Sequence, residues 1–357
     1  MREGAGRPAR EAKKHTTIAT VRVLLTRLSA LGDIVHTWPL AEELGRISGV
    51  ELAWLIEEPY LPLAAGHPSV ARTIAVATRR WRRAPFAAAT RAELRECIGE
   101  IRAFAPELVI DPQGLWKSAI WGVLARAPRR VGLPWSLRRE ALCGLLYTET
   151  ARQDCDGSHV VDINLSLLGA LAITPPRGTI PDGSFLVRTA DKPDWLPSRA
   201  VALLPATSRR GKSWPLERFA ALAPRLHASG YRPVVLWGPG EEPLARRVGE
   251  AAGAPTVVAP PTGIVELAVT LHHCAAAVGG DTGPTHLAAS VGTPTVAVML
   301  ATDPARNAPR GRHVEVVSGA TSGATRGRAR TRPTATVEVA DVVDAVIRLL
   351  NRRRLDG

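Results

Sequence analysis

One stretch of this 357-residue sequence limits the fold more than any other: Val278 to Met299, VGGDTGPTHLAASVGTPTVAVM. An apolar run over 274–278 ends in Gly279-Gly280, and Asp281-Thr282-Gly283-Pro284-Thr285-His286 then opens a helix of small residues. Gly292-Thr293-Pro294 stops that helix, and 295–299 is a second apolar run. Strand, turn, helix and strand in that order build parallel sheets. The turn then lies at the carboxyl end of a strand, where open α/β sheets bind ligands. Gly279, Gly280 and Gly283 allow close backbone approach to a ligand, and the helix start offers N–H groups to an anion. Pro284 fits the first helical turn, where a missing N–H costs nothing. The plain alternative is an ordinary βα turn with an Asp/Thr cap and a buried histidine.

The same alternation runs through the rest of the chain. Strands are expected at 21–26, 51–56, 72–77, 108–111 and 130–132, with helices over 33–44, 87–104 and 116–126. After a junction rich in Pro, Gly and Asp at 173–199 the pattern restarts. Strands are expected at 200–205, 232–237, 275–278 and 295–299, and helices from Pro215, Glu241, Gly263 and Pro284. The fold class is therefore α/β, with two Rossmann-like, doubly wound parallel-sheet domains. The expected division is a basic, disordered leader at 1–20, a first domain at 21–185, a second at 186–336 and a final helix at 337–357. The segment 321–336 is polar and Arg-rich and reads as a mobile loop able to touch lipid head groups. No apolar run reaches the roughly 18 residues of a membrane span, and the leader lacks the apolar core of a secretory signal.

Four cysteines are scattered at 97, 143, 155 and 274 without metal-ligand spacing. His272-His273-Cys274 reads as a helix end and Asp154-Cys155-Asp156 as a turn, so no structural metal is expected. Net charge is +13, carried by 41 arginines and only five lysines. Such a balance attracts nucleic acid, anionic membranes or phosphorylated substrates. Against nucleic acid, the charge is dispersed, Phe and Tyr are scarce, and no recognition motif appears.

Candidate chemistry sits at the strand ends. Asp33 follows the first strand through Ser29-Ala30-Leu31-Gly32 and is either a helix cap or a general base. As a base it would act only in concert with leaving-group departure. The stretch 206–213, ATSRRGKS, comes one Gly short of a P-loop, with Ala206 in the first place. Trp214-Pro215 puts a proline where a P-loop helix would run, so Thr207, Ser208 and Lys212 read instead as diphosphate donors. Glu241 or Glu242, after Trp237-Gly238-Pro239-Gly240, could accept ribose hydroxyls or favour a helix dipole. Arg79-Arg80-Trp81-Arg82-Arg83 is either a solvated turn or a set of guanidinium forks for an acidic ligand.

Together these pieces resemble the lipopolysaccharide heptosyltransferases of glycosyltransferase family 9. The motifs are SALGDIVHTWP (29–39), RRWRR (79–83), DPQGLWKS (111–118), ATSRRGKSWP (206–215), WGPGEE (237–242) and GGDTGPTHLAA (279–289). The resemblance covers 21–310 and implies a GT-B fold, two Rossmann-like domains facing across a cleft. It implies inverting, metal-independent transfer of heptose from ADP-heptose, used as substrate with no cofactor. The acceptor would be the inner Kdo of Kdo2-lipid A; the alternative within the family is a transferase for another acceptor, such as the heptosylated one. Carried over by position, Asp33 is the general base. Arg79, Arg80, Arg82 and Gln113 lie towards the acceptor. Thr207, Ser208, Lys212, Glu241, Thr262, Asp281, Thr282, Gly283 and His286 surround the donor. Ser208 stands where a second Thr is usual, and the stretch around Glu241 and Glu242 is shorter than the family's. A monomer on the cytoplasmic face of the inner membrane, held by its anionic surface, completes the expectation.

Overall fold

The structure, a computed structural model, describes residues 20–151, 158–206, 214–253, 255–319 and 336–356. Thr207, Ser208 and Lys212 lie outside the described residues, as do all but the last residue of the expected 1–20 leader, the Asp154–Asp156 turn and all but the last residue of the Arg-rich 321–336 segment.

Two six-stranded, all-parallel sheets carry the fold. The first holds β1 (Val21–Thr26), β2 (Val50–Glu57), β3 (Arg72–Val76), β4 (Leu108–Asp111), β5 (Arg129–Gly132) and β6 (Glu149–Thr150) in the order β3-β2-β1-β4-β5-β6. The second holds β7 (Ala200–Leu204), β8 (Arg232–Val235), β9 (Val257–Val258), β10 (Ala276–Gly279), β11 (Thr295–Met299) and β12 (Val314–Ser318) in the order β12-β11-β10-β7-β8-β9. Counted from its own first strand, each sheet has the same order, the doubly wound dinucleotide-binding one. Helices cover both faces, so β4, β7 and β11 are buried along their whole length, and their sequences are continuous apolar runs rather than alternating ones.

Three strands fall outside the sequence expectation. β6 and β9 are two residues long at sheet edges, too short for a periodic signal, and β12 is a part-exposed edge strand. The helix expected over 33–44 is two helices, Leu31–Val35 and Trp38–Gly45. Pro39 lies in the first turn of the second and lacks the N–H needed to continue the first, while Thr37 Oγ1 donates to the Asp33 carbonyl (2.8 Å). At the other key helix, Gly283–Ser290, Pro284 sits in the first turn and Gly292, at φ +84, ends it in the left-handed conformation that only glycine adopts freely. The final helix, Val339–Asp356, places Val342, Ala345, Val346 and Leu349 in the core of the second sheet, with Phe219 and Val298.

One apolar core joins the two halves. It runs from Val23, Trp38 and Trp54 of the first sheet's layers to Ala202, Leu236 and Leu287 of the second's. Residues after β6 reinforce that junction. Arg310 donates through Nη1 (2.9 Å) and Nη2 (2.5 Å) to the two carboxylate oxygens of Asp162, and His159 Nε2 bonds the Ala308 carbonyl (2.8 Å). Burial pushes the Asp162 carboxyl up, but Arg310 more than offsets this and holds it below the ordinary range.

Candidate active site

In a doubly wound sheet the ligand crevice opens beyond the carboxyl ends of the two strands flanking the reversal of order. Here those are β1 and β4 in one sheet and β7 and β10 in the other. The described segments that follow β1, β4 and β10 hold Asp33, Gln113 and Asp281–His286. The two halves bring these edges together: the Leu31–Val35 helix packs directly on the Gly283–Ser290 helix.

At that contact two glycines face each other's neighbours. A Cβ on Gly32 would lie 2.8 Å from His286 Cδ2, and one on Gly283 would lie 2.7 Å from Leu31 Cβ and 3.2 Å from the Gly32 nitrogen. A Cβ on Gly279 would meet Thr285 Oγ1 at 2.4 Å and Leu204 Cβ at 2.9 Å. At Gly279 and Gly283 the missing side chains make room for protein neighbours.

A hydrogen-bond chain crosses the same contact. Thr302 Oγ1 donates to Asp281 Oδ2 (2.7 Å), Asp281 Oδ1 lies 3.3 Å from His286 Nε2, and His286 Nδ1 lies 3.1 Å from His36 Nε2. A carboxylate only accepts, so His286 donates through Nε2, and its Nδ1 shares one proton with His36 Nε2. Burial, then the neighbouring His286 and His159 rings, holds His36 well below the ordinary imidazole range, and so neutral. Thr282 and Thr285 share a hydroxyl contact of 3.0 Å at the helix start.

Asp33 stands in the third position of its helix, mostly shielded. Its Oδ2 accepts a long bond from the Ala30 N–H (3.4 Å) and lies 3.7 Å from Arg139 Nη2. The capping contact is weak at that length, which leaves the carboxylate available to a ligand. The loop beneath it is pinned. Arg27, fully buried, donates to the Pro112 carbonyl (2.7 Å), Asn164 Oδ1 (3.1 Å) and Thr37 Oγ1 (3.2 Å). Burial lowers its pKa, against the pull of the Asp33 and Asp111 carboxylates.

Gln113 is placed differently from expectation. Its side chain is buried, and Oε1 accepts the Leu28 N–H (2.8 Å), so it positions the Asp33 loop from behind. Asp111 anchors this layer, accepting from Ser118 Oγ and Tyr147 OH (2.7 Å each) and from the Gln113 N–H (2.8 Å).

Lys117 is a site residue that the sequence reading did not single out, although it sits inside DPQGLWKS. Its Nζ donates to Ser29 Oγ (2.9 Å). Burial lowers its pKa, Glu57 raises it, and the fields of Arg79, Arg82 and Arg139 lower it further. Lys117, Arg79, Arg82 and Arg139 thus converge on one region at the mouth of the Asp33 loop. Arg139 carried no motif and was missed for that reason. Arg80 departs from expectation: it is held by Glu93 (2.6 Å to each oxygen) and Glu58 (2.8 Å), and Trp81 Nε1 also donates to Glu93 (2.7 Å). It braces the loop that Arg79 and Arg82 occupy.

On the donor side Glu241 folds back, its Oε2 accepting the Gly238 N–H (2.8 Å) and its own N–H bonding the Gly238 carbonyl (3.0 Å). Glu242 is paired with Arg246 one turn along its helix (2.6 Å). Thr262 is half-buried beyond β9, on the same side of the sheet as Glu241.

A sequence model of the family described as glycosyltransferase family 9 (heptosyltransferase) matches residues 95–336. Lipopolysaccharide heptosyltransferase 1 of Escherichia coli strain K12 is 33% identical over 293 residues, 80% of this chain and 89% of the relative. The chain belongs to glycosyltransferase family 9. It is a glycosyltransferase of GT-B architecture, and the family's reaction is heptosyl transfer. An E. coli lipopolysaccharide heptosyltransferase 3 is more distant, at 24% over 76% of this chain and 81% of its own. Among solved structures, E. coli heptosyltransferase WaaC with ADP superposes with a TM-score of 0.78 at 29% identity, over 92% of this chain and 100% of that one. The same enzyme with ADP-2-deoxy-2-fluoro heptose gives 0.73 at 29% identity, over 92% and 99%.

Proposed function

We propose that this family 9 enzyme transfers L-glycero-D-manno-heptose from ADP-heptose to the inner Kdo of Kdo2-lipid A, with inversion at the anomeric carbon and without a metal. The observation that carries the reading is the placement of Asp33: a little-constrained carboxylate on one domain's switch-point turn, set against Asp281–His286 of the other and flanked by Arg139, Lys117, Arg79 and Arg82. The greater similarity to a heptosyltransferase 1 than to a heptosyltransferase 3 supports the first-heptose acceptor.

In this mechanism Asp33 takes the proton from the Kdo hydroxyl as that oxygen bonds to the anomeric carbon, opposite the departing ADP. The four cations receive the acceptor's carboxylates and phosphates. The first turn of the Gly283–Ser290 helix and Lys212 neutralise the leaving diphosphate, the task a metal performs elsewhere. Glu241 takes the ribose hydroxyls, since Glu242 is committed to Arg246. Thr207, Ser208, Thr262, Asp281, Thr282 and His286 complete the donor pocket. The enzyme works as a monomer, peripheral on the cytoplasmic face of an anionic inner membrane.

The test is ADP release from ADP-heptose with Kdo2-lipid A, in EDTA, by the native chain and by Asp33→Asn. Acceptor-dependent release by the native chain, reduced at least ~100-fold in the variant with ADP-heptose binding retained, is the expected result. Equal release by both proteins would return Asp33 to a capping role. Release only with heptosylated Kdo2-lipid A would move the chain to the second acceptor.

A further inference from the structure

Large apolar side chains exposed to solvent are concentrated in one place. Of the ten in the described residues, six fall between 116 and 145: Trp116, Ile120, Val123, Trp135, Leu142 and Leu145. The elements bearing them adjoin. Trp116, Ile120 and Val123 follow helical spacing on the outer face of the Trp116–Leu124 helix, whose inner face buries Ala119, Trp121 and Gly122. Leu142 and Leu145, 60% and 78% exposed, are one 3₁₀ turn apart on Ala141–Leu146, with Cys143 buried between them. That turn packs on the Trp116–Leu124 helix and on the short Trp135–Leu137 turn, where Trp135 is 65% exposed while Leu137 is buried. Glu140 Oε2 accepts the Trp116 N–H (2.7 Å), tying the two stretches at their start.

The charge around this face is one-sided. Residues 112–148 contain six cations (Lys117, Arg126, Arg129, Arg130, Arg138 and Arg139) and one carboxylate, the exposed Glu140; Arg129 is paired with Glu149 just beyond. Arg126 and Arg139 are exposed. Apolar side chains rimmed by arginines do not suit an acidic soluble peptide alone or a purely apolar partner; they suit an interface with hydrocarbon below and anionic head groups beside it.

We propose that the face formed by 116–123, 135 and 142–145 docks on an anionic lipid bilayer. It rests on the function proposed above only for its purpose: Lys117 and Arg139 belong both to this region and to the mouth of the Asp33 site, so docking sets that mouth at the head-group layer, where a lipid-anchored acceptor presents its sugars.

The full chain is mixed with phosphatidylcholine vesicles, with or without phosphatidylglycerol, and sedimented. Two variants are compared with it: Trp135→Ser/Leu142→Ser/Leu145→Ser, and Arg126→Glu. The native chain should co-sediment with the anionic vesicles, and the triple variant should partition at least ~tenfold less. Arg126→Glu should lower partition into anionic vesicles and leave the neutral ones unchanged. Both variants should keep native ADP release with a deacylated, water-soluble Kdo acceptor, which separates this proposal from the catalytic one. Unchanged partition of the triple variant would overturn the assignment, as would failure of the native chain to bind anionic vesicles. A native dimer that the triple variant converts to a monomer, with vesicle binding intact, would assign the face to a second copy instead.

Discussion

Arg79 and Arg82 differ from Arg80 in what already holds them. Arg80 is engaged by Glu58 and Glu93, whereas the fields of Arg79 and Arg82 reach Lys117 and Glu57 at the mouth of the site. Arg79→Ala and Arg82→Ala should therefore each raise the KM for acceptor by roughly ten- to a hundredfold, the worth of a charge-assisted contact, with ADP-heptose affinity unchanged. Arg80→Ala should change the acceptor KM by no more than about threefold, since an exposed ion pair contributes little. Steady-state kinetics with Kdo2-lipid A varied at saturating donor would show the contrast; equal effects from all three would mean that Arg80 reorganises when acceptor binds. The sequence showed a cation cluster but not its division, because Glu58 and Glu93 are separated from Arg80 by a strand and a loop. The buried position of Gln113 was not legible for the same kind of reason: the Leu28 N–H it accepts is far away in sequence.

At the level of elements, most strands were legible because a sheet covered on both faces needs long apolar runs, and β1, β4 and β11 begin and end where those runs do. The two-residue edge strands β6 and β9 carry no such signal. The motifs at the strand ends pointed to the right turns, but not to the packing of one turn against the other. That packing gives the sharpest element-level prediction. In Gly283→Ala the new methyl would press on the Leu31 side chain and on the Gly32 backbone nitrogen, and a backbone atom cannot rotate away. The variant should lose at least ~tenfold in kcat, because a small displacement between reacting groups is costly, while stability falls by only ~1–3 kcal/mol. Single-turnover rates and thermal unfolding would separate the two effects. Loss of stability without loss of rate would show that the spacing of the two helices does not govern the chemistry.

Beyond the shared apolar core, the two halves are joined among the described residues by the His159 and His36 contacts and the Arg310–Asp162 pair, and buried imidazoles make the molecule's stability pH-dependent. Burial holds His159 and His67 at about 4, from an ordinary value of 6.5. Between those values the unfolded chain binds protons that the folded chain refuses, so stability falls as the pH drops from 6.5 towards 4 and is constant above that window. Each ring contributes on the order of 3 kcal/mol to that loss. His159→Asn should flatten the slope of unfolding free energy against pH; an unchanged slope would mean that His159 is protonated in the native state. Arg310→Ala should lower stability by ~1–2 kcal/mol through loss of the Asp162 pair. It should also make urea unfolding less cooperative, seen as a smaller m-value, as the two halves begin to unfold separately.

The bare contact at Gly32 and Gly283 also bears on how the enzyme could be stopped. Where two side chains meet, closure is cushioned, and a small intruder can be absorbed by a change of rotamer. Here a Cβ on Gly283 would meet the Cβ of Leu31, which no rotamer moves, and the Gly32 backbone nitrogen, so the gap has little give. A compound that left both substrate pockets empty but lodged a single methyl group in that seam would hold the halves apart and silence the enzyme, and abundant substrate would not displace it.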